Sequence, residues 1–148
     1  MAGPLSGLTI VELAGIGPGP MASMMLGDMG ANVIKVERPG KGDDCRAWGP
    51  PWLDGESLWF LSVNRNKQSV TLDYTNEAGR PVLHDLVKKS DVVIVNLTDR
   101  VQRKLGVDHA ALSAIKPDLV HLLLDRGANL SRRDPDGRTA LMAAARSN

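Results

Sequence analysis

Residues 8–37, LTIVELAGIGPGPMASMMLGDMGANVIKVE, contain the clearest structural pattern in the chain. Residues 8–13 are a short β-prone run, and they lead into glycines and prolines at residues 15–20, which we call the glycine loop. A helical pattern follows, and residues 32–37 form a second β-prone run. This order of strand, helix and strand predicts the first crossover unit of a parallel sheet.

The helix of this unit carries a row of methionines. Pro20 suits its first turn, where the amide hydrogen that proline lacks would be unpaired anyway. The pattern ends near Gly30. Methionine is an adaptable core filler, so we expect one apolar face turned toward the core rather than a methionine-lined ligand site. The methionines at helical spacing are Met21, Met24, Met25 and Met29.

A long connection, residues 41–68, lies beyond the polar loop that begins at Arg38. Clustered aromatic residues predict that this connection is packed by its own side chains, and long ordered loops are often functional. Tyr74 is the only aromatic residue elsewhere. The aromatic residues within the connection are Trp48, Trp52, Trp59 and Phe60.

The pattern of strand, helix and strand recurs further along the chain. Residues 69–73 alternate like a strand, residues 76–89 have helical periodicity, and residues 91–96 are nearly continuously apolar. A continuous apolar strand is typical of one covered on both faces. We therefore predict an α/β fold built on a Rossmann-like parallel sheet.

The glycine loop invites comparison with dinucleotide-binding loops. A loop between strand and helix presents amide donors to a phosphate, and Glu37 lies at the right distance to bind a ribose. However, Pro20 stands where the motif has its third glycine, and Pro18 and Pro20 each remove a donor. A purely structural turn and a different nucleotide-like ligand therefore stay open beside NAD.

Composition narrows the class of protein. The chain of 148 residues has a formal net charge of +1 and is 43% hydrophobic, which implies no bulk attraction to nucleic acid or to an anionic membrane. We find no run near the ~20 apolar residues of a membrane span and no basic region of a signal peptide. With a single cysteine, we expect a cytoplasmic protein.

Reactive side chains are sparse. His84 and His109 have no second histidine or cysteine at ligand spacing, so we expect no metal site. Cys45 follows two aspartates, whose charge opposes thiolate formation, and we do not expect it to be a nucleophile. Arg65 and Lys67 are candidates for anion binding, but the neighbouring asparagines favour a turn with both cations in solvent.

Three separated stretches resemble the N-terminal part of the family III coenzyme A transferases, which include formyl-CoA transferase and α-methylacyl-CoA racemase. They are PLSGLTIVELAGIGPGPMASMMLGDMGANVIKVERPGKGDDCRAWGPP (4–51), SLWFLSVNRNKQSVTLD (57–73) and DVVIVN (91–96). The resemblance spans about residues 4–120. VELAGIGPGP is closer to the racemases, whereas GDDCRAWGPP and SVNRNKQS are closer to the transferases, so the branch stays open.

The resemblance implies a domain that binds coenzyme A, with an acyl-CoA and a carboxylic acid as substrates and a homodimer as the assembly. Arginine suits the anionic nucleotide because it binds phosphate in a bidentate manner. Arg103 replaces Lys104 in the implied set if the register shifts by one. The positions that match cofactor contacts are Gly17, Pro18, Arg38, Leu72, Asp73, Tyr74, Thr75, Asn96, Leu97, Thr98 and Lys104.

The resemblance also implies where the chemistry lies. The transferases use an aspartate that attacks the thioester, and the racemases use a histidine and an aspartate that exchange the α proton. Both sets fall downstream of the segment that matches residues 117–120. We therefore assign no catalytic residue and expect little or no turnover by this chain alone.

Residues 118–148, DLVHLLLDRGANLSRRDPDGRTALMAAARSN, resemble ankyrin-repeat sequence. This resemblance predicts a helix over residues 118–126, a turn over 134–137 and a helix over 139–145. The alternative is that residues 119–124 form the next strand of the sheet. We predict an incomplete transferase segment over residues 1–117 and an ankyrin-like piece over 118–148.

Two other functions stay open at this point. The tail would make the chain a protein-interaction module if it docks onto a partner with ankyrin repeats. Alternatively, the chain is a truncated, chimeric gene product joined at about residues 117–121.

Overall fold

The computed structural model describes residues 3–123, and only the backbone of residues 121–123. The described part is an α/β fold with one main sheet and one small hairpin. The strands are β1 (Thr9–Glu12), β2 (Asn32–Glu37), β3 (Trp52–Leu53), β4 (Glu56–Ser57), β5 (Lys67–Thr71), β6 (Val92–Val95) and β7 (Val120–Leu123). The helices are α1 (Pro18–Asp28), α2 (Leu58–Asn64), α3 (Gly79–Lys88), α4 (Asp99–Leu105) and α5 (His109–Ile115), with a short 3₁₀ helix at Asp44–Ala47.

The main sheet has five parallel strands in the order β5-β2-β1-β6-β7. The first strand in the chain is therefore the central one. The chain adds β2 and β5 on one side of it, then crosses to add β6 and β7 on the other. The predicted parallel α/β fold is confirmed.

Alternating side chains of the strands face two different layers. On one face, Val11, Val93 and Val95 pack with Leu83 of α3 and Leu112 of α5. On the other face, Ile10, Val33 and Ile94 form an apolar cluster with Leu26 of α1. Toward the carboxyl ends of β1 and β2, this second face carries buried charges instead.

The methionine row of α1 does not face the core, so that prediction was wrong. Met24 is buried, but Met21, Met25 and Met29 are exposed by 52%, 48% and 40%. The buried side of the helix instead includes small residues, because α1 lies close to the sheet and to the start of β5. A Cβ added at Gly27 would lie 3.0 Å from the backbone oxygen of Asn66.

The connection over residues 41–68 contains more regular structure than predicted. It holds the 3₁₀ helix, the β3–β4 hairpin and α2. The rings of Trp48 and Trp59 meet edge to face, with centroids 6.3 Å apart. Three of its aromatic side chains are nevertheless more than a third exposed: Trp48, Trp52 and Trp59.

The helix predicted over residues 118–126 is wrong where the structure describes this segment. Val120–Leu123 is strand β7 and pairs in parallel with β6, with Val92 opposite Val120. Because the backbone of this run pairs with the buried strand β6, the alternative of a strand is correct here. The other predictions for the ankyrin-like tail fall on residues 124–148, outside the described residues. The boundary at residue 117 stays a prediction.

Within residues 3–123, no helix is both long enough and apolar enough to cross a bilayer.

Candidate functional site

The loops that follow β1 and β6 meet at the carboxyl edge of the sheet. The chain leaves these neighbouring strands toward opposite sides, and such a switch point is where open parallel sheets form binding crevices. Asn96, directly after β6, donates its side-chain amide to the backbone oxygen of Ile16. A Cβ added at Gly19 would lie 2.5 Å from the Cβ of Ala14 and 3.3 Å from Cγ of Asn96. Only glycine allows this close approach.

The backbone of the glycine loop turns its carbonyl groups inward. The backbone oxygens of Gly15, Ile16 and Pro20, and of Ala14 just before the loop, each accept a hydrogen bond from a side chain that lies elsewhere in the fold. Gly17, the N-cap of α1, has φ +74°, which a side chain would strain. The amides of Gly15, Ile16 and Gly17 donate to no acceptor within residues 3–123. The exposed part of the loop therefore presents free donors at the start of a helix.

A second cleft, of about 240 Å³, opens at the carboxyl ends of β2 and β5. Three cations line it: Arg38, Lys41 and Arg46. Arg38 pairs with Asp44, and the two side chains are exposed by 60% and 53%. An exposed ion pair is worth only about 0–1 kcal/mol, so Arg38 can exchange Asp44 for a phosphate at little cost.

Glu37 is occupied by the protein itself, which argues against the ribose contact considered for it. One carboxylate oxygen accepts from the amide of Asp43 at 2.9 Å and from Nε of Arg46 at 2.7 Å. The other accepts from Nη2 of Arg46 at 2.8 Å and from Ser69 at 2.7 Å. Burial opposes the charge, but the hydrogen bonds outweigh it and lower the pKa of Glu37 to about 2. No acceptor position is left for a sugar hydroxyl.

The predicted contacts at Leu72–Thr75 lie beside this cleft, because β5 pairs with β2. The amide of Leu72 donates to the backbone oxygen of Glu37 at 2.9 Å. Asp73 accepts from the amide and hydroxyl of Thr75, at 3.0 and 2.6 Å, and these bonds lower its pKa. Tyr74 packs against the core, and burial raises its pKa. The segment is thus an ordered turn with Thr75 exposed at its tip.

The segment after β6 is also ordered. Leu97 accepts from the side chain of the buried Gln102 through its backbone oxygen, and this bond ties α4 to the turn before it. Thr98 is the exposed N-cap of α4. Lys104 is exposed and has no ion-pair partner within residues 3–123, whereas Arg103 pairs with Asp99 at 2.6 Å. Lys104 is therefore the freer of the two cations considered.

The structure brings the predicted residues together in two groups. Gly17, Pro18 and Asn96 share the switch point, and Arg38 lines the second cleft, beside which lies the segment that begins at Leu72. Both groups lie at the carboxyl edge of one sheet. Their contacts with a cofactor stay predictions.

A buried ionic cluster was missed by the sequence analysis. Lys67, expected in solvent, has a side chain that is only 2% exposed, and it lies 2.8 Å from the fully buried Glu12. Lys35 lies between Glu12 and Asp43, at 2.8 and 2.7 Å. The signal was present in the alternation of NVIKVE, where Lys35 and Glu37 point to the same face as Val33. Arg65, in contrast, is exposed and pairs with Asp28, as a solvent cation should.

The two buried lysines have opposite pKa shifts. Burial opposes the charge of Lys35, but Glu12 and Asp43 outweigh it and raise its pKa. Burial lowers the pKa of Lys67, because Glu12 offsets only part of the cost. We take both lysines as charged, since each lies within 3 Å of a carboxylate.

Cys45 is buried beneath the glycine loop, with its sulfur 3.7 Å from the oxygen of Gly15. Burial and the neighbouring Asp43 raise the pKa of the thiol to about 11. A neutral thiol is a poor nucleophile. Within the described part of the chain, no three histidine, cysteine or acidic side chains are grouped to hold a metal ion.

The sheet order and the loops at its carboxyl edge define an α/β protein of the Rossmann-like class. The sequence profile of CoA-transferase family III matches residues 5–126. The chain therefore belongs to CoA-transferase family III.

Relatives with assigned activities are similar to the same part of the chain. A succinyl-CoA:glutarate CoA-transferase of Mus musculus is 42% identical over 118 residues, which are 80% of this chain and 27% of that protein. A succinate–glutarate CoA-transferase of Agrobacterium fabrum is 44% identical over 80% of this chain and 31% of its own length. The chain thus spans less than a third of these relatives.

A solved structure supports the fold. The crystal structure of a CAIB/BAIF family protein from Brucella suis is 43% identical and superposes with a TM-score of 0.78. The similarity covers 83% of this chain and 33% of that protein.

Proposed function

We propose that this chain forms a coenzyme A-binding half-site of an acyl-CoA:carboxylate CoA-transferase. The observation that carries the proposal is the shared edge: unpaired amides of the glycine loop and the exposed Arg38 lie at the carboxyl ends of neighbouring parallel strands. An extended anionic cofactor can contact both at once. This edge is also where open α/β sheets bind nucleotides.

The chemistry of each group suits a different part of the cofactor. The 3′-phosphorylated ADP of coenzyme A is highly anionic, and the cleft of Arg38 and Lys41 offers two exposed cations. The glycine loop has no exposed side chain larger than Ile16, so a ligand can approach the backbone amides of the loop closely. We assign the nucleotide of coenzyme A to the second cleft, and the part of the cofactor that continues from the nucleotide to the glycine loop.

The substrate class rests on the relatives. Their names describe the transfer of coenzyme A from succinyl-CoA to glutarate, which supports the transferase branch over the racemase branch. We propose an acyl-CoA donor and a carboxylic acid acceptor for this protein.

The buried carboxylates of the sheet do not perform the transfer in this proposal. Glu12, Glu37 and Asp43 are buried, and each pairs with a cation. None of them is free to attack a thioester carbonyl. Because the resemblance places the catalytic residues downstream of the segment that matches residues 117–120, we propose binding, without turnover, for residues 3–123.

The proposal predicts that Arg38→Ala weakens coenzyme A binding. A hydrogen bond to a charged group is worth about 1.5–3 kcal/mol, so the dissociation constant should rise about 10- to 100-fold in isothermal titration calorimetry. If Arg38 contacts the 3′-phosphate, the same substitution should change the affinity for dephospho-coenzyme A by less than about threefold.

Lys88→Ala is the matched control. Lys88 also belongs to an exposed ion pair, with Asp85 at 2.9 Å, but it lies in the last turn of α3. Its removal should leave the affinity unchanged. Absence of coenzyme A binding by the wild-type chain, or equal binding by Arg38→Ala, would contradict the proposal.

A further inference from the structure

The buried ionic cluster lies directly beneath the glycine loop. Glu12 binds Lys35 through one oxygen and Lys67 through the other, each at 2.8 Å, and Ser23 of α1 donates to it as well. Glu12 is fully buried, and both lysine side chains are 2% exposed. The cluster joins Glu12 and Lys35, in the carboxyl halves of β1 and β2, to Lys67, the first residue of β5.

Each lysine combines two hydrogen bonds with a further ion pair. Lys35 donates to Glu12 at 2.8 Å and to the backbone oxygen of Ala14 at 2.9 Å, and its ammonium group lies 2.7 Å from Asp43. Lys67 donates to Asn64 and to the backbone oxygen of Pro20, both at 2.8 Å, and its ammonium group lies 2.8 Å from Glu12. One donor of each lysine holds one end of the glycine loop.

A purely structural role would not require charged side chains at these buried positions. Buried charges carry a large desolvation penalty, and well-packed apolar side chains of the same volume are often as stabilising. Apolar side chains could not bind the oxygens of Ala14 and Pro20, however. The oxygen of Ala14 would then turn outward to reach water, and rotation of its peptide plane would redirect the amide of Gly15. The oxygen of Pro20, in the first turn of α1, would keep only the hydroxyl of Ser23, which donates to it at 3.0 Å.

We propose that Lys35 and Lys67, joined by Glu12, are positioning residues that hold the glycine loop with its carbonyls inward and its amides outward. The identity of the ligand rests on the proposed function. The conformation of the loop does not depend on the proposed function, so the identity of the ligand and the conformation of the loop are tested separately.

The test uses the charge-balanced double variant Glu12→Gln/Lys67→Met. It removes the donor to Pro20 and leaves Lys35 paired with Asp43, so no buried charge is left alone. The control is Asp85→Asn/Lys88→Met, which deletes an ion pair of the same charges on the surface. Amide hydrogen exchange of the ligand-free protein, measured by NMR, is the first readout, and coenzyme A affinity is the second.

We expect exchange at Met21, whose amide donates to the oxygen of Gly17 and so closes the loop, to rise by about tenfold or more in the double variant, while the amides of β6 change by less than about twofold. Coenzyme A affinity should fall by about tenfold. The surface control should change neither. Unchanged loop exchange, or a rise shared equally by the strands, would overturn the proposal, because it would indicate a general structural role.

A second variant covers failure of the first to fold. Glu12→Gln/Lys67→Gln keeps the charge balance and an amide donor at residue 67, but the glutamine side chain is one bond shorter than lysine, so it cannot reach Asn64 and Pro20 together. Faster exchange confined to the loop supports the proposal, and unchanged exchange overturns it. If the wild-type chain binds no coenzyme A, the proposed function fails, and the exchange measurement alone then tests the positioning role.

Discussion

Glu37 shows how strongly a single buried carboxylate depends on its partners. It is 5% exposed and accepts hydrogen bonds from Arg46, Ser69 and the backbone of Asp43. The guanidinium of Arg46 also lies 3.7 Å from the centre of the Phe60 ring. The glutamate thus joins the end of β2 to the 3₁₀ helix and α2. It also lines the second cleft.

Acid should therefore destabilise the protein through Glu37. The pKa is about 2 in the folded chain and 4.5 ordinarily, so the stabilisation is present above about pH 4.5 and is lost as the pH falls toward 2. The difference in unfolding free energy between wild type and Glu37→Gln should shrink by roughly 3 kcal/mol over this interval. Urea denaturation at a series of pH values measures it, and two parallel pH curves would contradict the assignment.

The environment of Lys67 was predicted only in part from the neighbouring sequence. The turn at NRNK was correctly anticipated, since Asn66 has φ +59°. The burial of Lys67 was not, because it depends on Glu12, which lies 55 positions earlier in the chain and two strands away in the sheet. A local pattern does not show which charges will be paired.

At the scale of elements, the segment Leu72–Thr75 is shaped by the first turn of α3. Gly79 starts this helix, and a Cβ added there would lie 1.9 Å from the backbone oxygen of Asp73. Its amide donates to the side chain of Asn76 at 2.8 Å. The turn that we assign to coenzyme A therefore lies against the helix with no room for a side chain.

Gly79→Ala should destabilise the chain despite the better helix propensity of alanine. The propensity gain is at most about 1 kcal/mol, whereas overpacking against rigid backbone costs about 1–3 kcal/mol. Thermal unfolding should show a lower melting temperature. Gly15→Ala is the matched control, since nothing lies within 4 Å of its added Cβ, and it should shift stability by less than about 1 kcal/mol. A more stable Gly79→Ala variant would contradict this packing.

Short runs rich in β-branched residues were the most predictable elements. Residues 8–13, 32–37 and 91–96 contain β1, β2 and β6, because few other structures bury such runs on both faces. The helix over 76–89 was predicted at both ends within three residues of α3. The face of α1 that is turned toward the sheet was not predictable, because methionine fits a core and a surface equally well. At this contact the small side chain of Ser23 lies against the buried charge of Glu12.

At the scale of the whole molecule, the site depends on sheet order more than on any single motif. The order β5-β2-β1-β6-β7 places the loops after β1 and β6 at a switch point and the end of β2 next to them. The fold class followed from hydrophobic pattern, but the candidate cofactor contacts followed only from resemblance to the transferases. Periodicity alone cannot distinguish a solvent arginine from one that faces a cleft.

A two-dimensional NMR titration with coenzyme A tests the placement of the cofactor most directly. We expect the amide signals of Ile16, Gly17, Arg38 and Thr75 to shift, because all lie at the carboxyl edge of the sheet. The amides of Gly30 and Gln68 should not shift, since they line a separate cleft at the amino-terminal ends of β2 and β5. Shifts confined to that opposite cleft, or no shifts at saturating coenzyme A, would contradict the account.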